Sequence, residues 1–238
     1  GGARPFGIDA EQLPSLLLEL GQKDLHFRGL HIFSGSQNLR YESIIEAQNA
    51  SFELAARLLE KAGLTAELLN IGGGFGIPYF PGEQRLSLAP IADNLAKQLA
   101  DWGPRLGYPE VVLELGRYLV GEAGIYVCRV IDRKVSRGQT YLITDGGLHH
   151  HLAASGNFGQ LIRKNYPVVK ATQVFAEPRE QATVVGPLCT PLDLLAERIQ
   201  IGVAEPGDLI AVLQSGAYGL SASPQQFLSH PVALEIFV

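Results

Sequence analysis

The sequence predicts an α/β chain in two parts, a parallel β–α part over residues 1–120 and an antiparallel β domain over residues 121–238. Three observations predict it. Short apolar runs alternate with helix-length amphipathic segments as far as residue 118. Each of those runs empties into a loop rich in Gly or Ser, as strands of a parallel sheet do. Beyond Gly124 the helical period gives way to β-rich segments divided by turn signals.

Element by element, residues 9–22 read as a helix, with Asp9 as cap and apolar residues at Leu13, Leu16, Leu17, Leu18 and Leu20. Leu30–Phe33 is a short apolar run that ends in Ser34-Gly35-Ser36 and suits a buried strand. Residues 41–63 repeat Ile44, Ile45, Phe52, Ala55, Leu58 and Leu59 at helical spacing and close on Gly63. Leu68–Ile71 is a second strand, stopped by Gly72-Gly73-Gly74; residues 88–102 are helical; Val111–Leu115 is a third strand. The second part is expected to hold strands at 126–135, 141–145, 183–185, 208–214 and 232–238, with a helix at 191–198 and turns at Ser136-Arg137-Gly138 and Glu205-Pro206-Gly207. The boundary falls within residues 118–125.

At 238 residues and 46% apolar, the chain is long enough to bury a sizeable core. A net charge of −5 speaks against a nucleic acid or an anionic membrane as partner, since both require a concentrated basic surface. No apolar run approaches the roughly 18 residues of a membrane helix. Cys128 and Cys189 are too few for a disulfide framework, which points to reduced thiols and a cytoplasmic protein. With no Met and an abrupt opening on Gly1-Gly2, the start is expected to lie upstream. A complete (β/α)8 barrel takes about 250 residues, so three strands before the boundary make either a small open sheet or half a barrel.

Chemistry concentrates in the loops after the strands. Consecutive glycines after Leu69-Asn70-Ile71 let backbone amides approach an anion, although a tight turn uses them equally well. Glu114-Leu115-Gly116-Arg117 sets a carboxylate near a guanidinium across a small residue, a grip for a ligand bearing both a cation and a phosphate, or a surface ion pair. Ser34-Gly35-Ser36-Gln37 adds a hydroxyl. Cys189 lies in a Gly/Pro-bounded turn and is the better reactive thiol, while Cys128 fits a buried small hydrophobe. Gln214-Ser215-Gly216-Ala217-Tyr218-Gly219 brackets a tyrosine with glycines and exposes its hydroxyl.

Taken in order, Gly-Ser-Gln, the triple Gly, Glu-x-Gly-Arg, Gly-Pro-x-Cys and Gly-Ala-Tyr resemble the diaminopimelate and ornithine decarboxylases, the fold type III pyridoxal-phosphate enzymes. The resemblance begins at Phe6-Gly7-Ile8-Asp9 and covers nearly the whole chain. It implies the C-terminal part of an alanine-racemase-like (β/α)8 barrel followed by an antiparallel β domain. It further implies that Gly72, Gly73, Gly74, Ser36, Gly116, Arg117 and Tyr218 serve the phosphate of pyridoxal 5'-phosphate and that Glu114 pairs with its ring nitrogen. Cys189 would protonate the carbanion left by decarboxylation, reaching across a two-fold homodimer with shared active sites. No metal is implied.

The sequence also departs from the family pattern. The lysine that joins the cofactor has no counterpart among Lys23, Lys61, Lys97, Lys134, Lys164 and Lys170, and is expected upstream. Phe33 replaces a stacking His and keeps only the packing role. Thr190-Pro191 replace the acid that holds a distal ammonium, and His149-His150-His151 stand near the usual place of an arginine for a distal carboxylate. The triplet reads as a polar loop, a substrate grip or a metal site, in that order. These changes argue against free diaminopimelate and ornithine and toward an unusual or carrier-protein-tethered amino acid. The rival readings are a racemase of the same barrel class and an inactive homologue that binds a protein partner.

Overall fold

The computed structural model describes residues 4–158, 164–175 and 177–238; the Gly1-Gly2 opening lies outside them. The chain divides into two units, one of residues up to Gly76 with Arg85–Leu115, the other of Ile77–Gln84 with Gly116 onward.

In the first unit, α1 (Leu13–Leu20), β1 (Gly29–His31), α2 (Tyr41–Ala62), β2 (Leu68–Gly73), α3 (Ala89–Leu106) and β3 (Glu110–Glu114) follow one another. The three strands pair in parallel in the order β1-β2-β3, with Leu30 beside Leu69 and Leu69 beside Val111. Helix α2 forms because Ile44, Phe52, Ala55, Leu58, Leu59 and Ala62 recur at helical spacing and bury one face. It stops at Gly63, whose φ of 66° is left-handed, while the Leu64 amide reaches back to the Leu59 carbonyl at 3.0 Å. Helix α3 runs past its expected end, through Pro104, because Leu106 is buried and Gly107 at φ 86° supplies the stop. Phe52, Leu59, Leu69 and Leu106 fill the core.

The second unit opens with the short helix α4 (Gly116–Val120). A six-stranded sheet follows, built from β4 (Tyr126–Ser136), β5 (Gln139–Thr144), β6 (Val168–Lys170), β7 (Glu180–Val185), β8 (Leu194–Ile201) and β9 (Leu209–Val212). Its order is β6-β9-β4-β5-β7-β8. Arg137 at φ 49° and Gly138 at φ 78° make the two-residue hairpin turn between β4 and β5. Arg133 crosses the sheet to Glu180 with two nitrogens at 2.9 and 2.8 Å, and Lys170 Nζ meets Asp208 at 2.9 Å.

Three expectations are corrected here. The sheet is mixed, because β5 and β7 run parallel while its other pairs are antiparallel. The helix expected at 191–198 is strand β8: a run as short as Leu194-Leu195-Ala196 suits either element, and pairing with β7 decides it. Residues 232–238 are apolar except for Glu235 but form no strand, since a strand's amides and carbonyls require a neighbour. Leu234, Ile236 and Phe237 there are exposed. No described helix is long and apolar enough to cross a membrane.

Phe52 is 1% exposed at the centre of the first unit's core. Phe52→Ala is expected to cost about 3–5 kcal/mol in urea denaturation, against less than about 0.5 kcal/mol for Leu18→Ala on the exposed face of α1.

Candidate active site

In the first unit the parallel register lines up the strand ends. His31 lies beside Asn70, and Gly73 beside Glu114, with a shift in the ladder between Asn70 and Gly73. The Asn70 side chain uses both ends of its amide. Its Oδ1 accepts the Gly72 amide at 2.8 Å, and its Nδ2 donates to Glu114 Oε1 at 2.9 Å. His31 Nε2 stands 3.2 Å from the other carboxylate oxygen. Glu114 is thus an exposed carboxylate with a fixed direction, at the carboxyl end of the last strand of this sheet.

The glycine turn is required by packing before any ligand is considered. Gly72 and Gly74 have φ of 73° and 87°, where side chains are disfavoured. A Cβ at Gly73 would overlap the Glu114 carbonyl, and one at Gly74 would lie 2.6 Å from the Gly35 carbonyl oxygen. The following loop is held by the Asn38 amide donating to the Gly74 carbonyl at 2.8 Å and the Gly76 amide donating to Asn38 O at 2.9 Å.

These loops and the start of α2 enclose a cleft of about 290 Å³, lined by Ser34, Gly35, Ser36, Asn38, Gln48, Gly73 and Gly74 among others. Ser36 is exposed. Gln48 is 4% exposed; its Oε1 accepts from Asn94, but its buried Nε2 has no acceptor. A buried N–H left unsatisfied is costly, so the cleft holds a donor in want of an anion or a carbonyl. Phe33 follows β1 with its ring exposed.

The second unit carries the remaining candidates. Arg117 lies in α4, its guanidinium 5.2 Å from the Tyr218 ring centre and 5.8 Å from that of Tyr79. Tyr218 is exposed and left-handed at φ 56°. Gly116 begins α4 with open space where a Cβ would stand. Cys189 is exposed, whereas burial pushes the Cys128 thiol up to about 12, which suits its packing role.

The reading of His149-His150-His151 as a polar loop is overturned. His149 and His151 are fully buried and His150 nearly so, in a turn rather than on a strand. The Ala154 amide donates to His151 Nδ1 at 3.1 Å, so Nε2 carries the proton and donates to Ser215 Oγ at 2.9 Å. His150 Nε2 donates to the Pro231 carbonyl at 2.7 Å, leaving Nδ1 to accept from Tyr126 at 3.0 Å. Among the described residues no cluster of three His, Cys, Asp or Glu is placed to hold a metal ion.

Sequence reading missed His31, Asn70 and Gln48. The first two interrupt apolar strand runs near their carboxyl ends, a signal that was available; Gln48 carried none, because a polar residue on a helix ordinarily faces water.

Residues 27–216 match the family described as pyridoxal-dependent decarboxylase, C-terminal sheet domain. The chain belongs to that family. Over 241 residues it is 39% identical to the L-glutamyl-[BtrI acyl-carrier protein] decarboxylase of Niallia circulans, covering 99% of this chain and 56% of the relative. The diaminopimelate decarboxylase of Methanothermobacter thermautotrophicus is 30% identical, with 100% of this chain and 54% of the relative covered. Among solved structures, Helicobacter pylori diaminopimelate decarboxylase complexed with L-lysine superposes with a TM-score of 0.79 at 27% identity, over 95% of this chain and 53% of that one. This member of the pyridoxal-dependent decarboxylases therefore spans about half the length of the curated relatives it matches.

Two outcomes are expected of this family member. Gly73→Ala must part β2 from β3 at the Glu114 carbonyl, so it should lower the thermal midpoint even with no ligand present. Burial holds His149 and His151 at about 4 against an ordinary 6.5. The unfolded chain therefore takes up these protons first as pH falls, and stability declines from about pH 6.5 toward 4. Calorimetry of the second unit's transition should show this slope, flattened in His149→Leu.

Proposed function

We propose that this chain is the C-terminal part of a pyridoxal-phosphate-dependent amino-acid decarboxylase, comprising the latter part of an alanine-racemase-like (β/α)8 barrel and its sheet domain. The observation that carries the reading is the Glu114 carboxylate, held in one direction by Asn70 and His31. It sits on the same parallel sheet as a glycine turn and a cleft with an unsatisfied buried donor.

The residues of the first unit fit the cofactor family membership implies. Ser36, the Gly73 and Gly74 backbone and Gln48 Nε2 line the cleft as neutral donors for a phosphate, while the Gly72 amide is taken by Asn70, and Phe33 offers an exposed ring for stacking. Glu114 would hold the proton of the ring nitrogen. Arg117 and Tyr218, a guanidinium already lying over a phenol ring, are assigned anion binding. When bound, pyridoxal phosphate supplies an electron sink for the bond between Cα and the carboxylate. Cys189, exposed on its loop, is assigned delivery of a proton to Cα. A homodimer with shared sites is part of the same proposal.

The substrate proposed is an amino acid tethered to a carrier protein. Supporting this, the 39% identical relative is named for a carrier-linked glutamyl substrate. Thr190-Pro191 also leave no acid beside Cys189 to hold a distal ammonium.

The test uses the full-length protein with pyridoxal phosphate. It should release CO2 from L-glutamate linked to an acyl-carrier protein and not from free diaminopimelate. Glu114→Gln should lower that turnover by about 100- to 1000-fold, the scale of losing one preorganised charge in a site; undiminished turnover refutes the role given to Glu114.

A further inference from the structure

We infer that Asp193 is the positioning residue for Cys189, its buried carboxylate tying the loop that carries the thiol to the turn that opens the histidine triplet. The inference rests on the reading that Cys189 is the proton donor. Asp193 is 3% exposed at the entrance to β8. One of its oxygens accepts the Leu188 amide at 2.8 Å, immediately before Cys189; the other accepts the Leu148 amide at 2.6 Å, immediately before His149.

The loop closes on the same residue through its backbone. The Asp193 amide donates to the Thr190 carbonyl at 3.2 Å, and the Gly186 amide donates to the Asp193 carbonyl at 3.0 Å. Gly147 and Gly186 both lie against the carboxylate, where a Cβ on either would overlap it. Two backbone segments are therefore pressed onto one acid, with glycine at each contact. The Cys189 thiol is exposed, so its direction is inherited from the backbone that Asp193 fixes.

In the step served, the S–H bond breaks and a C–H bond forms at Cα. The electron pair comes from the departed carboxylate's bond, and the thiolate left behind regains a proton from water. Amide–carboxylate bonds are stronger than neutral ones. Asp193→Asn keeps one acceptor but turns an NH2 donor toward the other amide, so one segment is released while the side-chain volume is kept.

The experiment compares wild type, Asp193→Asn, Asp193→Glu and Cys189→Ala in the full-length protein. The first readout needs no cofactor: iodoacetamide alkylation of Cys189, read by peptide mass apart from buried Cys128. The second is decarboxylation of acyl-carrier-linked L-glutamate in D2O, scoring the configuration of deuterium at Cα. Asp193→Asn should change the alkylation rate, mix the deuterium configuration and lower kcat by about 100-fold, the scale a misplacement of about 1 Å produces, with KM held. Should Asp193→Asn not fold, Asp193→Glu keeps the charge and both oxygens and should still mix the configuration. Wild-type alkylation and a single configuration in a folded variant would overturn the inference, as would failure of both variants to fold, which would make Asp193 structural only. If Cys189→Ala itself leaves kcat and configuration intact, the proton-donor reading fails instead.

Discussion

One side-chain amide holds the first unit's site together. Asn70 takes the Gly72 amide on its oxygen and gives its nitrogen to Glu114, so the bend of the chain after β2 and the aim of the carboxylate on β3 are a single arrangement. A parallel register makes this available, because it sets strand ends side by side; it also brings His31 of β1 to the remaining carboxylate oxygen. Exposed ion pairs contribute little stability, and the value of this trio lies in direction. The carboxylate has few orientations left to lose when it meets a partner.

The second unit uses buried polar side chains differently, as connectors between backbone segments. His150 reaches the Pro231 carbonyl, His151 reaches Ser215 just before the Tyr218 loop, and Asp193 reaches two amides at once. Buried polar groups ordinarily find partners, and these three do, whereas His149 beside them is buried with neither ring nitrogen hydrogen-bonded. His150 and His151 each have both ring nitrogens engaged, and burial holds His151 neutral, which leaves it unsuited to gripping a charged substrate by protonation. The sequence places these histidines beside the family's substrate arginine, but the structure gives them an architectural task.

Much of the first unit was legible because its signals are local. Helix α2 shows its apolar period and its closing Gly63; β2 and β3 show short apolar runs; the glycine turn announces itself. The second unit was less legible. Its sheet pairs β4 with β9 and β5 with β7 across long stretches of sequence, and no local pattern records such pairings. That is why β8 read as a helix and 232–238 as a strand: propensity was similar in both, and the presence or absence of a neighbour decided. Among the candidate residues of the two units, Glu114, Arg117 and Cys189 stood out by residue type and order. Asn70, Gln48 and Asp193 did not, because what distinguishes each is a contact 44, 46 or 45 positions away in the chain.

The crowding at Gly73 changes what an alignment of this family can teach. A position where any side chain would strike the neighbouring strand stays glycine whether or not the protein retains its chemistry, so invariance there measures strand spacing. Gly116 differs: nothing of the chain occupies the space its missing Cβ would fill, so alanine there meets no steric penalty from the protein itself. Steric packing alone accounts for glycine at 73 and does not account for it at 116.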